Sequence, residues 1–178
     1  MVYYVSILES DIRSKSNKLY RKLSLTNHSK CITYQRGLEM PDRFVGIVDD
    51  EIDITETFQA AMCGSIEGIS VFSFNDPVLA LEHFKANMNN YALIISDLRM
   101  PGLNGLELLK RIKGANPNVR TILMSAYNFE LDKLYQTYLK EGIIDSAIEK
   151  PVTIPALCQR VRDEFQVYQL KSHLKKSL

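Results

Sequence analysis

The chain has 178 residues, 46% of them hydrophobic and 24% charged, which is enough apolar material for one core and excludes disorder throughout. With 22 Lys and Arg against 21 Asp and Glu, the net charge of +1 points to neither a polyanion nor a membrane surface as a general partner. The three cysteines, Cys31, Cys63 and Cys158, have no C-x-x-C spacing, which argues against a disulfide framework or a zinc site.

The start "MVYYVSILES" lacks the basic region of a signal peptide, and no run reaches the roughly 18 apolar residues of a membrane helix, so a cytoplasmic protein is expected. Residues 1–43 hold 8 Lys or Arg and 4 Asp or Glu, a local net of +4. This basic, polar segment has weak periodicity and is too short for a domain of its own. It reads either as a flexible arm that binds a partner or nucleic acid through charge, or as a mis-assigned gene start, with Met40 opening the protein at "MPDRFVGIVDDE".

From Phe44 the pattern alternates. "RFVGIV" is a strand candidate, followed by a helix in which Ile54, Phe58 and Ala61 share a face. "ISVFSF" is a second strand, and the next helix opens with Asp76 as cap and Pro77 in the first position. "YALIIS" is a continuous apolar run, as a parallel strand covered on both faces requires, and Leu106, Leu109 and Lys110 give the following helix its period. "VRTILMS" with "NFELDKLYQTYLKEG" forms a fourth unit. "IIDSAIEKP" precedes a last helix in which Thr153 caps and Leu157, Val161, Phe165 and Tyr168 keep register. The alternating unit spans 44–170, and 171–178 is set apart as a basic tail whose lysines suit a helix C-terminus.

Five alternating units imply a doubly wound parallel sheet with right-handed crossovers and helices on both faces. Ligands in such sheets bind outside the carboxyl ends of the strands. That rim receives Asp49 and Asp50, Asp97, Ser125 and Lys150. Three crowded carboxylates repel one another, and a Mg²⁺ ion with its all-oxygen preference would relieve them and bring a phosphate donor. Asp97 could then attack phosphorus in line to give an aspartyl phosphate, with Lys150 pairing one phosphoryl oxygen and Ser125 another.

The set "VDDE", "SDLRMPGLNG", "MSA" and "EKP", in this order at successive strand ends, resembles the receiver domain of two-component response regulators over roughly Phe44 to Tyr168. The resemblance implies a (βα)5 flavodoxin-like fold of strand order 2-1-3-4-5. It implies phosphoryl transfer from a histidine kinase or phosphotransfer protein to Asp97, with Mg²⁺ held by Asp49, Asp50, Asp97 and the backbone carbonyl of Arg99. It also implies that Ser125 and Lys150 read the phosphoryl group, that Lys150–Pro151 is cis, and that a downstream protein docks on the fourth and fifth units. No output domain follows the last helix, so a stand-alone receiver is expected, acting as a phosphoacceptor rather than a turnover enzyme.

Three positions depart from the family or tune it. Ala147 stands where many receivers carry a switching aromatic. Arg99 and Tyr127, two residues beyond Asp97 and Ser125, occupy positions that modulate phosphoryl loss, and their bulk suggests slow self-dephosphorylation. The missing aromatic leaves open a phosphate-independent adaptor. A phosphohydrolase would need a second carboxylate in a D-x-D arrangement, where Arg99 stands instead. Singly, Asp49 and Asp50 could cap a helix, Asp97 could form a turn, and Ser125 and Lys150 could be solvated; their joint placement at one rim argues otherwise. His28, His83 and His173 show no metal spacing and read as surface or partly packed residues.

Overall fold

The computed structural model describes residues 30–32, 43–126 and 133–176. Strands β2 (Arg43–Val48), β3 (Ile69–Phe74), β4 (Tyr91–Asp97), β5 (Arg120–Ser125) and β6 (Ser146–Glu149) alternate with helices α1 (Ile52–Ser65), α2 (Pro77–Asn87), α3 (Gly105–Ala115), α4 (Lys133–Lys140) and α5 (Ile154–Lys176). These five strands are parallel and ordered β3-β2-β4-β5-β6, which is the expected 2-1-3-4-5.

A sixth strand was not expected. β1 (Lys30–Ile32) pairs antiparallel with the outer edge of β3, setting Lys30 opposite Phe72 and Ile32 opposite Ser70. It lies inside the segment assigned to a basic extension, and Arg43, placed there as well, begins β2. Three residues are too short for alternation to register, so only the neighbouring edge defines this strand. The rest of 1–42, with His28, lies outside the described residues.

β3, β4 and β5 are buried along their whole lengths because helices cover both faces. One half of the core joins Val45, Ile47, Leu93, Ile95 and Ile122 to Phe58 and Met62 of α1 and to Leu157, Val161 and Phe165 of α5. The other joins Val48, Phe72, Ile94 and Leu123 to Phe84 of α2 and to Leu108, Leu109 and Ile112 of α3. In α3 the buried stripe runs Gly105, Leu108, Leu109, Ile112; Leu106 is half-buried and Lys110 exposed, one step off the expected face. Asp76 caps α2 as expected, accepting from the Val78 amide at 2.7 Å.

Two ends differ from expectation. α4 covers only Lys133–Lys140 and buries none of its residues; 127–132 lie outside the described residues. α5 continues through Lys176, so the supposed tail is mostly helix: "YQLKSHLKK" offers strong helix formers with no Gly or Pro to stop it. His83 accepts or donates at 2.8 Å with the buried Tyr91 hydroxyl, and His173 is exposed.

The base of the sheet is closed by charge. Arg120, at the start of β5, donates to Glu164 of α5 at 2.7 Å and pairs with Asp145. Asp145 also accepts from Lys113 of α3 at 2.6 Å and from the Thr121 amide at 2.9 Å. Burial pulls the Lys113 ammonium below its usual range, and the Asp145 contact opposes that. Removing Glu164 leaves the buried Arg120 with Asp145 alone, so Glu164→Ala should lower unfolding free energy by about 2 kcal/mol in urea titrations. Exposed Glu107→Ala, which breaks an i,i+4 pair with Arg111, should change it by about 0.5 kcal/mol or less.

Candidate functional site

The rim of carboxyl ends carries four of the side chains that the sequence singled out. Asp49 follows β2 and is fully buried, Asp97 ends β4 with 7% exposure, Ser125 ends β5 and is buried, and Lys150 follows β6. The Lys150 ammonium donates to Asp49 Oδ2 at 2.8 Å and lies 2.6 Å from Asp97 Oδ1, so one cation bridges two buried carboxylates. Burial pulls this ammonium's pKa down, but the hydrogen bonds and charges of Asp49 and Asp97 outweigh it and hold it above the usual lysine value.

The remaining carboxylate oxygens are met by backbone. Asp49 Oδ1 accepts from the Glu51 amide at 3.0 Å, and Asp97 Oδ2 from the Arg99 amide at 2.6 Å. The Lys150 amide donates to the Ser125 carbonyl at 2.8 Å, which ties the lysine to the end of β5, and Lys150–Pro151 is cis. Asp49 is not the N-cap of α1: that residue is Glu51, whose side chain makes no capping hydrogen bond. Asp50 is exposed and lines an open depression with Arg99, Met100, Pro101 and Asn104.

The loop from Asp97 to α3 is shaped by glycines. Gly102 has φ 76°, a left-handed conformation that follows Pro101 in the turn. Gly105 begins α3 so close to β4 that a Cβ would overlap the Asp97 carbonyl oxygen, and its amide donates to the Leu98 carbonyl at 3.0 Å. The glycine thereby lets the helix press against the peptide that carries Asp97.

Among the described residues no three Asp, Glu, His or Cys side chains are gathered as a ready metal cage, because Asp49 and Asp97 turn to Lys150 and Asp50 faces outward. The donor chemistry nonetheless fits Mg²⁺. Asp49, Asp50 and Asp97 supply only oxygen beside an open depression, and this ion takes one or two carboxylates and keeps several waters. Ala147 is half-buried in β6 opposite Leu123, where no ring can swing. Tyr127 lies outside the described residues. Sequence reasoning missed Asn75, at the end of β3 on the same rim, whose amide reaches the Asp49 carbonyl oxygen at 2.9 Å; a polar residue directly before the Asp76 cap was its only signal.

Residues 45–162 match the family described as the response regulator receiver domain. The chain is 32% identical over 138 residues to the DNA-binding transcriptional regulator NtrC of Escherichia coli, covering 76% of this chain and 27% of that one. It therefore spans about a quarter of that relative. It is also 32% identical over 128 residues to sporulation initiation phosphotransferase F of Bacillus subtilis, across 71% of this chain and 94% of that one. The crystal structure of a response regulator receiver domain protein from Clostridium thermocellum superimposes with a TM-score of 0.64 at 25% identity, covering 72% of this chain and 98% of that one.

Two outcomes follow from the geometry. Gly105→Ala should destabilise the fold by about 2 kcal/mol or more, since backbone rather than a flexible side-chain end meets the added carbon; Gly114→Ala, where nothing lies within 4 Å, should be neutral or stabilising by thermal melting. For Lys150, a folded pKa raised above the unfolded one means the folded state holds the proton more tightly. Its contribution is thus complete below the ordinary value of 10.5 and is lost as pH rises through the raised folded value. The difference in urea midpoint between wild type and Lys150→Met should be constant from pH 8 to about 10 and shrink above it.

Proposed function

This chain belongs to the response regulator receiver domain family, and from that membership we propose that it is a phosphorylation-dependent signalling switch with Asp97 as phosphoacceptor. The observation that carries the reading is the single ammonium of Lys150 shared by the two buried carboxylates Asp49 and Asp97 at the rim. Asp97 is held by the Arg99 amide on one oxygen and by Lys150 on the other, so its orientation is fixed before any donor arrives.

Asp49, Asp50 and Asp97 would hold Mg²⁺, with the Arg99 carbonyl as a backbone ligand. When bound, the ion draws charge from the phosphoryl oxygens and from the carboxylates that face them. An Asp97 carboxylate oxygen attacks phosphorus; the bond from phosphorus to the donor nitrogen of a phosphohistidine breaks, and the imidazole leaves with that electron pair. The new acyl phosphate removes the negative charge that Lys150 had paired on Asp97. Its ammonium then turns to a phosphoryl oxygen, and Ser125, buried beside it at the end of β5, offers its hydroxyl to another. Rearrangement of β5 and β6 ends would be read by a protein partner on the surface of α4, β6 and α5. The donor is a histidine kinase or phosphotransfer protein.

A phosphate-independent adaptor is the second reading, favoured by Ala147, which leaves no ring to report the hydroxyl's movement. Acetyl phosphate with Mg²⁺, followed by intact mass, separates the two. One added phosphoryl group on wild type, absent in Asp97→Asn and in chelator, is the expected result; no adduct on the folded protein would favour the adaptor. The phosphorylated form should also outlive that of Arg99→Asn, Tyr127→Glu, measured as loss of the adduct after donor removal, because two bulky side chains would screen the acyl phosphate from water.

A further inference from the structure

A second layer of groups holds the acidic strand end in place. Asn75 Nδ2 donates to the Asp49 backbone carbonyl at 2.9 Å and to Thr55 Oγ1 at 3.0 Å. The fully buried Thr55 hydroxyl donates its own proton to the Ile52 carbonyl at 2.9 Å, so toward Asn75 it can only accept. Both contacts therefore require the amide nitrogen of Asn75, not its oxygen, to face the loop. The chain of donors ties three elements together: the end of β3, the peptide after β2, and the first turn of α1.

We propose that Asn75, with Thr55 as its anchor, is a positioning residue that sets the cation-binding oxygens of Asp49. Asn75 contacts the Asp49 peptide rather than its carboxylate. Fixing that peptide fixes the direction in which the Asp49 side chain leaves the backbone, and the Glu51 amide at 3.0 Å and Lys150 at 2.8 Å complete its orientation. When this tie is cut, the loop samples orientations in which Asp49 does not face the site, and the apparent dissociation constant of the ion rises in inverse proportion to the competent fraction. Affinity for the ion falls while the chemistry on Asp97, once the ion is bound, is unchanged.

This inference rests on reading the rim as a Mg²⁺-dependent phosphoacceptor. The test uses the full chain and Mg²⁺ alone, titrated by calorimetry without phosphate donor. Asn75→Ala and Thr55→Val should each weaken Mg²⁺ by about tenfold, as loss of partners behind a metal ligand does. Thr55→Ser, which keeps the hydroxyl, should bind like wild type. Saturating Mg²⁺ should restore the rate of phosphorylation by acetyl phosphate in both weakened variants; a merely structural role would lower the melting temperature without this split. Unchanged Mg²⁺ affinity in Asn75→Ala and Thr55→Val, with wild type binding normally, overturns the inference, as does a Thr55→Ser variant as weak as Thr55→Val. If wild type takes up neither Mg²⁺ nor phosphoryl group, the phosphoacceptor reading falls, and the tie itself is judged by hydrogen exchange of the Glu51 amide. Faster exchange in Asn75→Ala supports positioning; equal exchange overturns it.

Discussion

The rim depends on one ammonium between two carboxylates. A carboxylate without exposure, as Asp49 is, is tolerated only when its charge is met, and Asp97 a few ångströms away doubles the requirement. Lys150 meets both. Its placement depends in turn on backbone: β6 ends one residue before it, and its amide is held by the carbonyl at the end of β5. Four strands, β2, β4, β5 and β6, must therefore be in register before the charges balance, and the arrangement of the site and the order of the sheet are one problem.

The two ends of β5 have opposite characters. Arg120 at its start is locked between Glu164 and Asp145, so α5 and the approach to β6 are tied down at the base. Ser125 at its end stands on the rim with Asp97 and Lys150. Among the described helices α4, which follows β5, is the least anchored: it buries no residue and packs on the core through half-buried Tyr135 and Tyr138. Few apolar contacts mean a small free energy of local displacement, so a change at Ser125 meets least resistance on that side.

Much of this was legible before any coordinates. Continuous apolar runs such as "YALIIS" gave the buried strands because both sheet faces are covered, and polar groups at their ends gave the rim. The Asp76 cap and the stripe of α5 from Leu157 to Tyr168 were legible because capping and the helical period are local. What escaped was non-local. β1 is defined only by the edge it joins, α5 carried on because nothing in its sequence stops it, and the α3 stripe shifted from Lys110 to Leu108 once the sheet chose its face. Asn75 drew no notice because its partners, Asp49 and Thr55, stand 26 and 20 positions away in the chain.

The short antiparallel strand has a consequence for self-association. β3 is six residues long and wholly buried; left at the margin it would offer a row of free amides and carbonyls above an apolar surface, a template for growth by further chains. Residues 30–32 occupy that margin and hand the outer position to a strand half as long, opening with a lysine. Loss of these three residues would thus be felt in colloidal behaviour, as precipitation at high concentration, before it was felt at the rim.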